Sequence, residues 1–506
     1  MLAPTWAALG GDPAAPAALE LRRAGPVLAS PLAVEELLTA AAGSALLAAA
    51  ELAERRTGRR PAVALDVDGL AVAAASERHL RLNGQVPGEA FAPLSAFLAA
   101  ADGWIRTHAN YPWHHAALLR ALGTPDDAAA VRAAVRERPA VAVERAVAEA
   151  GGAAAAVRAP GAWTSAAPLV AHEDGPATDR RLPERAPGGL PAAGARVLDL
   201  TRVIAGPVGT RMLAALGAAV TRVDDPRRPE LPLVDHDGVR VAGGHRVRGQ
   251  PMAVQRAGPR AEHDGVGRRK LALEPVAARG RAQIERQPAL AHAAVVVDQR
   301  QLGPARVVDA RHGGVGKRRL ALDLRTPAGR DGLERELATA DAVVLGARPG
   351  ALDRHGLAPD ALAARHPHAV VVTLTAWGGP GPSGALRGFD SLVQAATGIA
   401  EAVRPATPDA PPGALPVQAL DHATGYLVAA ATLRALAGRE RTGRAGRAQL
   451  ALAATAAHLL AAGRREPEPA REPDPAPHLV RLGDLVVAAP PGSVDGQQLR
   501  WPPKMS

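Results

Sequence analysis

Residues 195–223 read ARVLDLTRVIAGPVGTRMLAALGAAVTRV, and their pattern decides the fold. Arg196-Val197-Leu198-Asp199-Leu200 predicts a short strand. Ala205-Gly206-Pro207 turns the chain into a helix through Met212 and Leu216, which Gly217 ends. Ala219-Val220-Thr221-Arg222-Val223 reads as the next strand. Strand, glycine turn, helix and strand in so short a span form a βαβ unit, so a parallel sheet is expected. Further along, Ala342-Val343-Val344-Leu345 and Ala369-Val370-Val371-Val372-Thr373-Leu374 read as buried strands of that sheet. Helices between Pro327 and Ala340, and between Pro359 and Arg365, supply the crossovers.

Upstream of this unit, residues 174–194 are rich in Pro, Arg and Gly and read as a linker. Residues 1–27 are Pro/Ala/Gly-rich and are expected to form a loose leader. Residues 28–173 are mostly helical in pattern. Leu37, Leu38, Ala41, Ala42, Leu46 and Leu47 repeat at helical spacing up to Thr57-Gly58, and Ala62–Val67 alternates like a strand. Asp102-Gly103-Trp104-Ile105 reads as a turn into a strand, with helices after it around Leu118 and Val131. Residues 195–465 form the main unit. Within it, 239–311 has little periodicity and reads as an irregular insertion. Residues 466–506 form a charged, Pro-rich linker and a tail.

Two internal echoes connect these segments. Pro31–Ala75 parallels Leu415–Leu459: each has a glycine (Gly43, Gly425), an alanine/leucine helix, and then Arg56-Thr57-Gly58-Arg59 or Arg441-Thr442-Gly443-Arg444. His263–Val295 parallels His312–Val344 without a gap, and Gly265–Glu274 matches Gly314–Asp323. Partial duplication accounts for both better than composition does.

With 506 residues the chain is long enough for two or three units with sizeable cores. Apolar residues make up 47% and aromatics 2%, so the cores must be built from Ala, Leu and Val. The net charge is +10, and Lys270, Lys317 and Lys504 are the only lysines. Arginines interleave with acidic residues, and the one local excess, Arg240–Arg319, is free of aromatics. That pattern argues against a nucleic-acid partner and is compatible with a polyanionic small ligand. The absence of cysteine excludes disulfides, thiolate metal sites and cysteine nucleophiles. His114-His115 and His366/His368 are close pairs without carboxylate support, so they read as surface histidines and no metal is expected. No basic n-region with an apolar core follows Met1, and Glu51 and Glu54 break the apolar run around Leu46. A cytoplasmic chain without a membrane partner is the expectation.

Several segments, taken in order, resemble the family III coenzyme A transferases, the CaiB/BaiF group that includes formyl-CoA transferase. They are Val197–Pro207, Gly316–Asp323, Arg348–Gly356, Gly388-Phe389-Asp390 through Gly398, Leu420-Asp421-His422-Ala423-Thr424-Gly425, and Arg439–Arg444. The resemblance implies an α/β fold: a large domain with a Rossmann-like parallel sheet, and a smaller α+β domain. Asp102-Gly103-Trp104 and the helices after it look like that small domain, which normally follows the catalytic segment. The chain therefore reads as the later part of one copy followed by the earlier part of another. By resemblance it forms a homodimer, and the rearranged order would let each half complete a partner's site.

The implied activity is transfer of coenzyme A from an acyl-CoA to a small carboxylic acid, through an aspartyl-CoA thioester and with no permanently bound cofactor. The resemblance places the nucleophile at Asp421. Near a helix N-terminus its carboxylate would stay ionised, although a plain helix cap is the commoner role for Asp there. By resemblance Val203 and Ile204 flank the CoA site, Lys317 and Arg318 match a family basic pair, and Arg354 and Arg387 match CoA-contacting positions. Thr39 stands opposite Asp421 in the N-terminal echo, so that copy is expected to lack a nucleophile. Ile204 replaces a glutamine of formyl-CoA transferase, which disfavours oxalate-like acids. Gly346-Ala347 replaces the more usual Asn-Phe, and the family's glycine-rich covering loop is not recognisable. Two other readings are a non-catalytic acyl-CoA-binding member and a 2-methylacyl-CoA racemase. The racemase needs a histidine where Phe389 stands.

Overall fold

The structure is a computed structural model, and it describes all residues except 87–90, 164–166, 228–232, 236–237, 241–314, 380–383, 385, 408 and 503–506. The chain forms two compact units, Met1–Leu231 with Asp298–Ser506, and Pro232–Val297. In the smaller unit Leu233–Asp235 pairs antiparallel with Gly238–Arg240. Most of the irregular segment 239–311, and with it the first member of the gapless echo, lies outside the described residues.

The N-terminus does not form a loose leader. It holds helix α1 (Leu2–Ala8) and strand β1 (Leu19–Arg22), which pairs in parallel with β2 (Val63–Asp66). Trp6 anchors this segment: its ring is buried, its indole N–H donates to the Asp12 carbonyl, and the Arg434 guanidinium lies 5.1 Å from the ring centre. A single tryptophan can tie down a Pro/Ala-rich stretch in this way.

Helix α2 (Val34–Thr57) follows. Glu35 and Glu36 lie in its first turn, Arg55 and Arg56 in its last, and Gly58 closes it at φ +70°. Those charges suit the helix dipole, and glycine tolerates the left-handed cap. By length and composition α2 could cross a membrane, but it is buried in this unit. After β2 comes α3 (Val67–Ala74), N-capped by Asp66. Strands β3 (Phe97–Ala100), β4 (Gly103–Thr107) and β5 (Ala154–Ala156) form an antiparallel sheet. Helices α4 (Pro112–Leu122), α5 (Ala128–Arg136) and α6 (Ala140–Glu149) cover it, closing a separate small core around Ile105, Leu118, Val131 and Val143.

The main sheet has seven strands: β6 (Val170–Glu173), β7 (Arg196–Leu200), β8 (Ala219–Asp224), β9 (Arg318–Ala321), β10 (Ala342–Gly346), β11 (Val370–Thr375) and β12 (Arg447–Ala451). Their order is β9-β8-β7-β10-β11-β12-β6, parallel throughout except for β6. Successive side chains alternate between faces. Val343 and Val371 join Leu198 against α8 (Pro327–Leu337) and α9 (Pro359–Arg365). Val344, Val370 and Val372 belong to the opposite core, shared with α7 (Ala205–Ala215) and α11 (Ala419–Thr442). From β7 the chain steps to β8 and β9 on one side and returns to β10 on the other. That places a topological switch point between β7 and β10, where α/β sheets bind ligands at the carboxyl ends of their strands. Helix α10 (Asp390–Ala396) precedes α11, and α12 (Leu452–Ala461) follows β12.

The echo of Pro31–Ala75 and Leu415–Leu459 is structural. α2 and α11 are both 24 residues long, both end in a left-handed glycine (Gly58, Gly443), and they pack on each other. β2 with α3 and β12 with α12 continue the correspondence. Matching the two helices end to end sets Glu36 opposite Asp421, so the Thr39 assignment is corrected. Gly43 and Gly425 are not equivalent, because each admits a different neighbour. A Cβ on Gly43 would meet Leu19, and one on Gly425 would meet the Ala205 carbonyl. Glu36 is held by both terminal nitrogens of Arg465, at 2.5 and 2.6 Å.

Candidate functional site

At the switch point the β7–α7 turn carries Val203 at φ +70°. A β-branched residue in the left-handed region is strained, and such outliers concentrate at functional loops. The turn is tight because Gly206 lies against Thr201: an added Cβ would meet the threonine at 2.3 Å. One turn into α7, Gly209 and Gly425 let two helices cross in near contact. A Cβ on Gly209 would meet the Gly425 carbonyl at 2.5 Å, and one on Gly425 would meet the Ala205 carbonyl at 2.4 Å. This crossing sets the first turn of α11, with Asp421, over the Val203–Ala205 turn.

Asp421 and Asp390 are both buried, at 6% and 1% exposure. Asp390 works as a side-chain cap for α11: its Oδ2 accepts the Asp421 N–H at 2.9 Å, and its Oδ1 accepts from Gln394 Nε2. Burial pushes the Asp390 carboxyl up to about 6, against these donors and the nearby Arg106 charge. Asp421 is raised well above the ordinary carboxylate range, by burial first and then by the Asp390 charge. Both causes oppose the helix N-terminus, which was expected to favour the carboxylate. The cost of desolvation and the second carboxylate beside it outweigh the dipole.

A cavity of about 280 Å³ opens at Asp421. Arg202, Val203 and Ile204 line it from the β7–α7 turn, Arg348 from the end of β10, and Arg387 and Phe389 from the segment before α10. Tyr111, Trp113 and His114, from the loop and helix after β4, complete the wall. Both halves of a single chain thus build one cavity, joined by an aromatic stack. The His108 ring lies flat on Phe389, with centroids 3.6 Å apart and planes 1° apart.

Of the residues expected at the site from sequence, Asp421, Val203, Ile204 and Arg387 line this cavity together. Lys317, Arg318 and Arg354 do not. Lys317 is buried beneath α7, where its ammonium bonds Asp199 Oδ2 at 2.8 Å, Thr210 Oγ1 at 2.7 Å and the Pro207 carbonyl at 3.2 Å. Arg318 pairs with Glu336 on α8 at 2.5 Å. Arg354 sits in the short 3₁₀ turn Asp353–His355 and donates to the neighbouring His355. His115 is a surface histidine paired with Asp126, but its neighbour His114 is only 3% exposed and lines the cavity. Helical phase from Pro112 was the available signal, since His114 falls on the same side of α4 as the buried Ala117 and Leu118.

A family model, CoA-transferase family III, matches residues 192–303 and 298–478, together more than half of the chain. The probable fatty acyl-CoA transferase Rv3272 of Mycobacterium tuberculosis is 37% identical over 159 residues, covering 29% of this chain and 39% of that protein. The acetyl-coenzyme A transferase nodX of Hypoxylon pulicicidum is 37% identical over 81 residues, covering 16% and 12%. A crystal structure of Rv3272 aligns at 28% identity with TM-score 0.37, covering 54% of this chain and 58% of that one. A CAIB/BAIF family protein from Brucella suis aligns at 22% identity with TM-score 0.35, covering 60% and 66%. The chain thus spans about two fifths of the length of the first curated relative and rather more than half of the solved chains.

Proposed function

The chain belongs to CoA-transferase family III, and from that premise we propose that it moves coenzyme A from an acyl-CoA to a carboxylic acid, with Asp421 as the nucleophile. The observation that carries this reading is the position of Asp421: a buried carboxyl at the first turn of α11, opening into a cavity that three arginines also line.

In the proposed cycle the ionised Asp421 carboxylate attacks the thioester carbonyl, and the C–S bond breaks to give a mixed anhydride and CoA thiolate. The thiolate attacks the aspartyl carbonyl, releasing the first acid and leaving an aspartyl-CoA thioester. The acceptor carboxylate repeats these two steps in reverse, so Asp421 and the new acyl-CoA emerge with no net proton or electron change. Arg202, Arg348 and Arg387 supply positive charge for CoA phosphates or acid carboxylates.

The acyl group is proposed to be a fatty chain, as the name of Rv3272 states for that protein. Val203, Ile204, Leu374 and Leu452 give this cavity an apolar wall to receive it. The racemase reading gains no support, because Phe389 carries no titratable proton and is packed flat on His108. A homodimer remains part of the proposal. The test is a transfer assay: hexanoyl-, palmitoyl- and succinyl-CoA are each incubated with free carboxylic acids, and new thioesters are followed by chromatography. Transfer that disappears in Asp421→Asn supports the reading. Equal transfer in that variant refutes it.

A further inference from the structure

Among the described residues, two side chains in the cavity wall carry buried polar atoms with no partner: His114, at both ring nitrogens, and Trp377, at Nε1. Their exposures are 3% and 8%. Native proteins pair nearly all such groups, and an orphaned one costs stability comparable to a lost hydrogen bond. Two orphans in the wall that also holds Asp421 point to a ligand that pairs with them.

The His114 ring is enclosed by other rings. His108, Tyr111, Trp113 and Phe389 surround it at centroid distances of 6.0, 5.4, 6.0 and 5.7 Å, each near edge-to-face. It is also held uncharged: burial, with the Arg387 and Arg348 charges facing it, pushes its pKa down to about 3. An uncharged imidazole offers one N–H donor and one acceptor, and the indole offers a donor only. Donors of this kind suit an oxygen that gains negative charge during acyl transfer, and a shift of the two rings toward the cavity brings their closed-off nitrogens within its reach.

We propose that His114 is the acyl-recognition residue of this site, donating a hydrogen bond to the thioester carbonyl oxygen of an acyl-CoA held against Asp421, with the Trp377 indole N–H as a second donor. This rests on the CoA-transfer reading for the identity of the ligand as a thioester. It also gives the N-terminal half of the chain a direct part in substrate binding.

The test compares acetyl-CoA with S-ethyl-CoA, a thioether of almost the same shape that lacks the carbonyl oxygen, by calorimetric titration of full-length Asp421→Asn protein. The parent is expected to bind acetyl-CoA about tenfold more tightly than S-ethyl-CoA, the size of one well-made hydrogen bond. Adding His114→Phe should abolish that preference while leaving S-ethyl-CoA affinity unchanged, and His114→Gln should restore part of it. A preference that survives His114→Phe overturns the proposal, as does failure of the parent to bind either compound. If His114→Phe does not fold, ¹⁵N-histidine spectra of the parent decide: a His114 ring signal that shifts with acetyl-CoA but not with S-ethyl-CoA supports the contact, and equal shifts refute it. Because no turnover is needed, a lost preference alongside an absent Asp421 adduct would sink the nucleophile assignment and leave this inference standing.

Discussion

Replacing Lys317 with methionine would show whether this lysine holds the fold or the ligand. Its ammonium and the Asp199 carboxylate are both fully buried and 2.8 Å apart. Removing one partner of such a pair leaves an uncompensated charge and costs about 3–5 kcal/mol. The lower end applies here, because Asp199 keeps the Thr201 N–H and the Thr201 and Thr210 hydroxyls at 2.9, 2.5 and 2.7 Å, and Arg222 adds a favourable charge. The pH dependence discriminates further. In the parent, burial tends to raise Asp199, but Lys317 and Arg222 hold it below its ordinary value. Its contribution is therefore fully present above the unfolded carboxylate value of about 3.9 and is lost only as pH falls through the lowered one. Without Lys317, burial dominates and the folded pKa rises above the unfolded one. Protonation on acidification then relieves the penalty. Thermal unfolding of both proteins at pH 7 and pH 5 should show a large deficit at pH 7 that shrinks at pH 5, with CoA affinity retained. A deficit under about 0.5 kcal/mol, the scale of an ordinary surface substitution, or one that does not change with pH, would refute this reasoning.

Three further outcomes follow from the site. Asp421→Asn should lower transfer by roughly 10,000-fold or more, the scale on which loss of a nucleophile registers, while acyl-CoA binding measured by titration survives. Because only the carboxylate attacks, the rate of adduct formation should climb with pH through the raised Asp421 value. Asp390→Asn removes a negative charge beside Asp421 and should move that climb to lower pH, and an unmoved profile in stopped assays would contradict the coupling. Gly425→Ala should cost about 1–3 kcal/mol by overpacking α7 against α11 and reduce transfer as well. Gly438→Ala in the same helix, where a Cβ meets nothing within 4 Å, should be neutral or stabilising by up to about 1 kcal/mol. Calorimetry of the two variants separates them.

The βαβ unit was legible from residues 195–223 because strand, turn and helix each carried a local signal, and the sheet follows it: β7, α7 and β8 fall on the quoted runs. The short strand at Ala62–Val67 and the turn at Asp102 were legible for the same reason. What was not legible depended on contacts distant in sequence. The order of the first residues rests on Trp6 meeting Arg434, more than four hundred residues away. The register of the helical echo, by contrast, lay in the sequence: the matched Arg56–Arg59 and Arg441–Arg444 runs set Glu36, not Thr39, opposite Asp421, and the caps at Gly58 and Gly443 hold to it. At the site, Asp421, Val203, Ile204 and Arg387 could be picked out by motif. Arg348 lies inside the Arg348–Gly356 motif, but charge alone does not separate one arginine from fifty-six others. His114 looked like a surface residue until α4 folded against Phe389. The carboxyl pair likewise becomes visible only when α10 delivers Asp390 to the first turn of α11.

The central claim is that Asp421 becomes covalently joined to coenzyme A, and mass spectrometry of the intact protein and its peptides tests it directly. The protein is incubated with a panel of acyl-CoAs and trapped with hydroxylamine or borohydride. The account predicts a modification on the peptide that contains Asp421, absent from Asp421→Ala. CoA-dependent thermal stabilisation without any adduct, or an adduct that persists in Asp421→Ala, would contradict it.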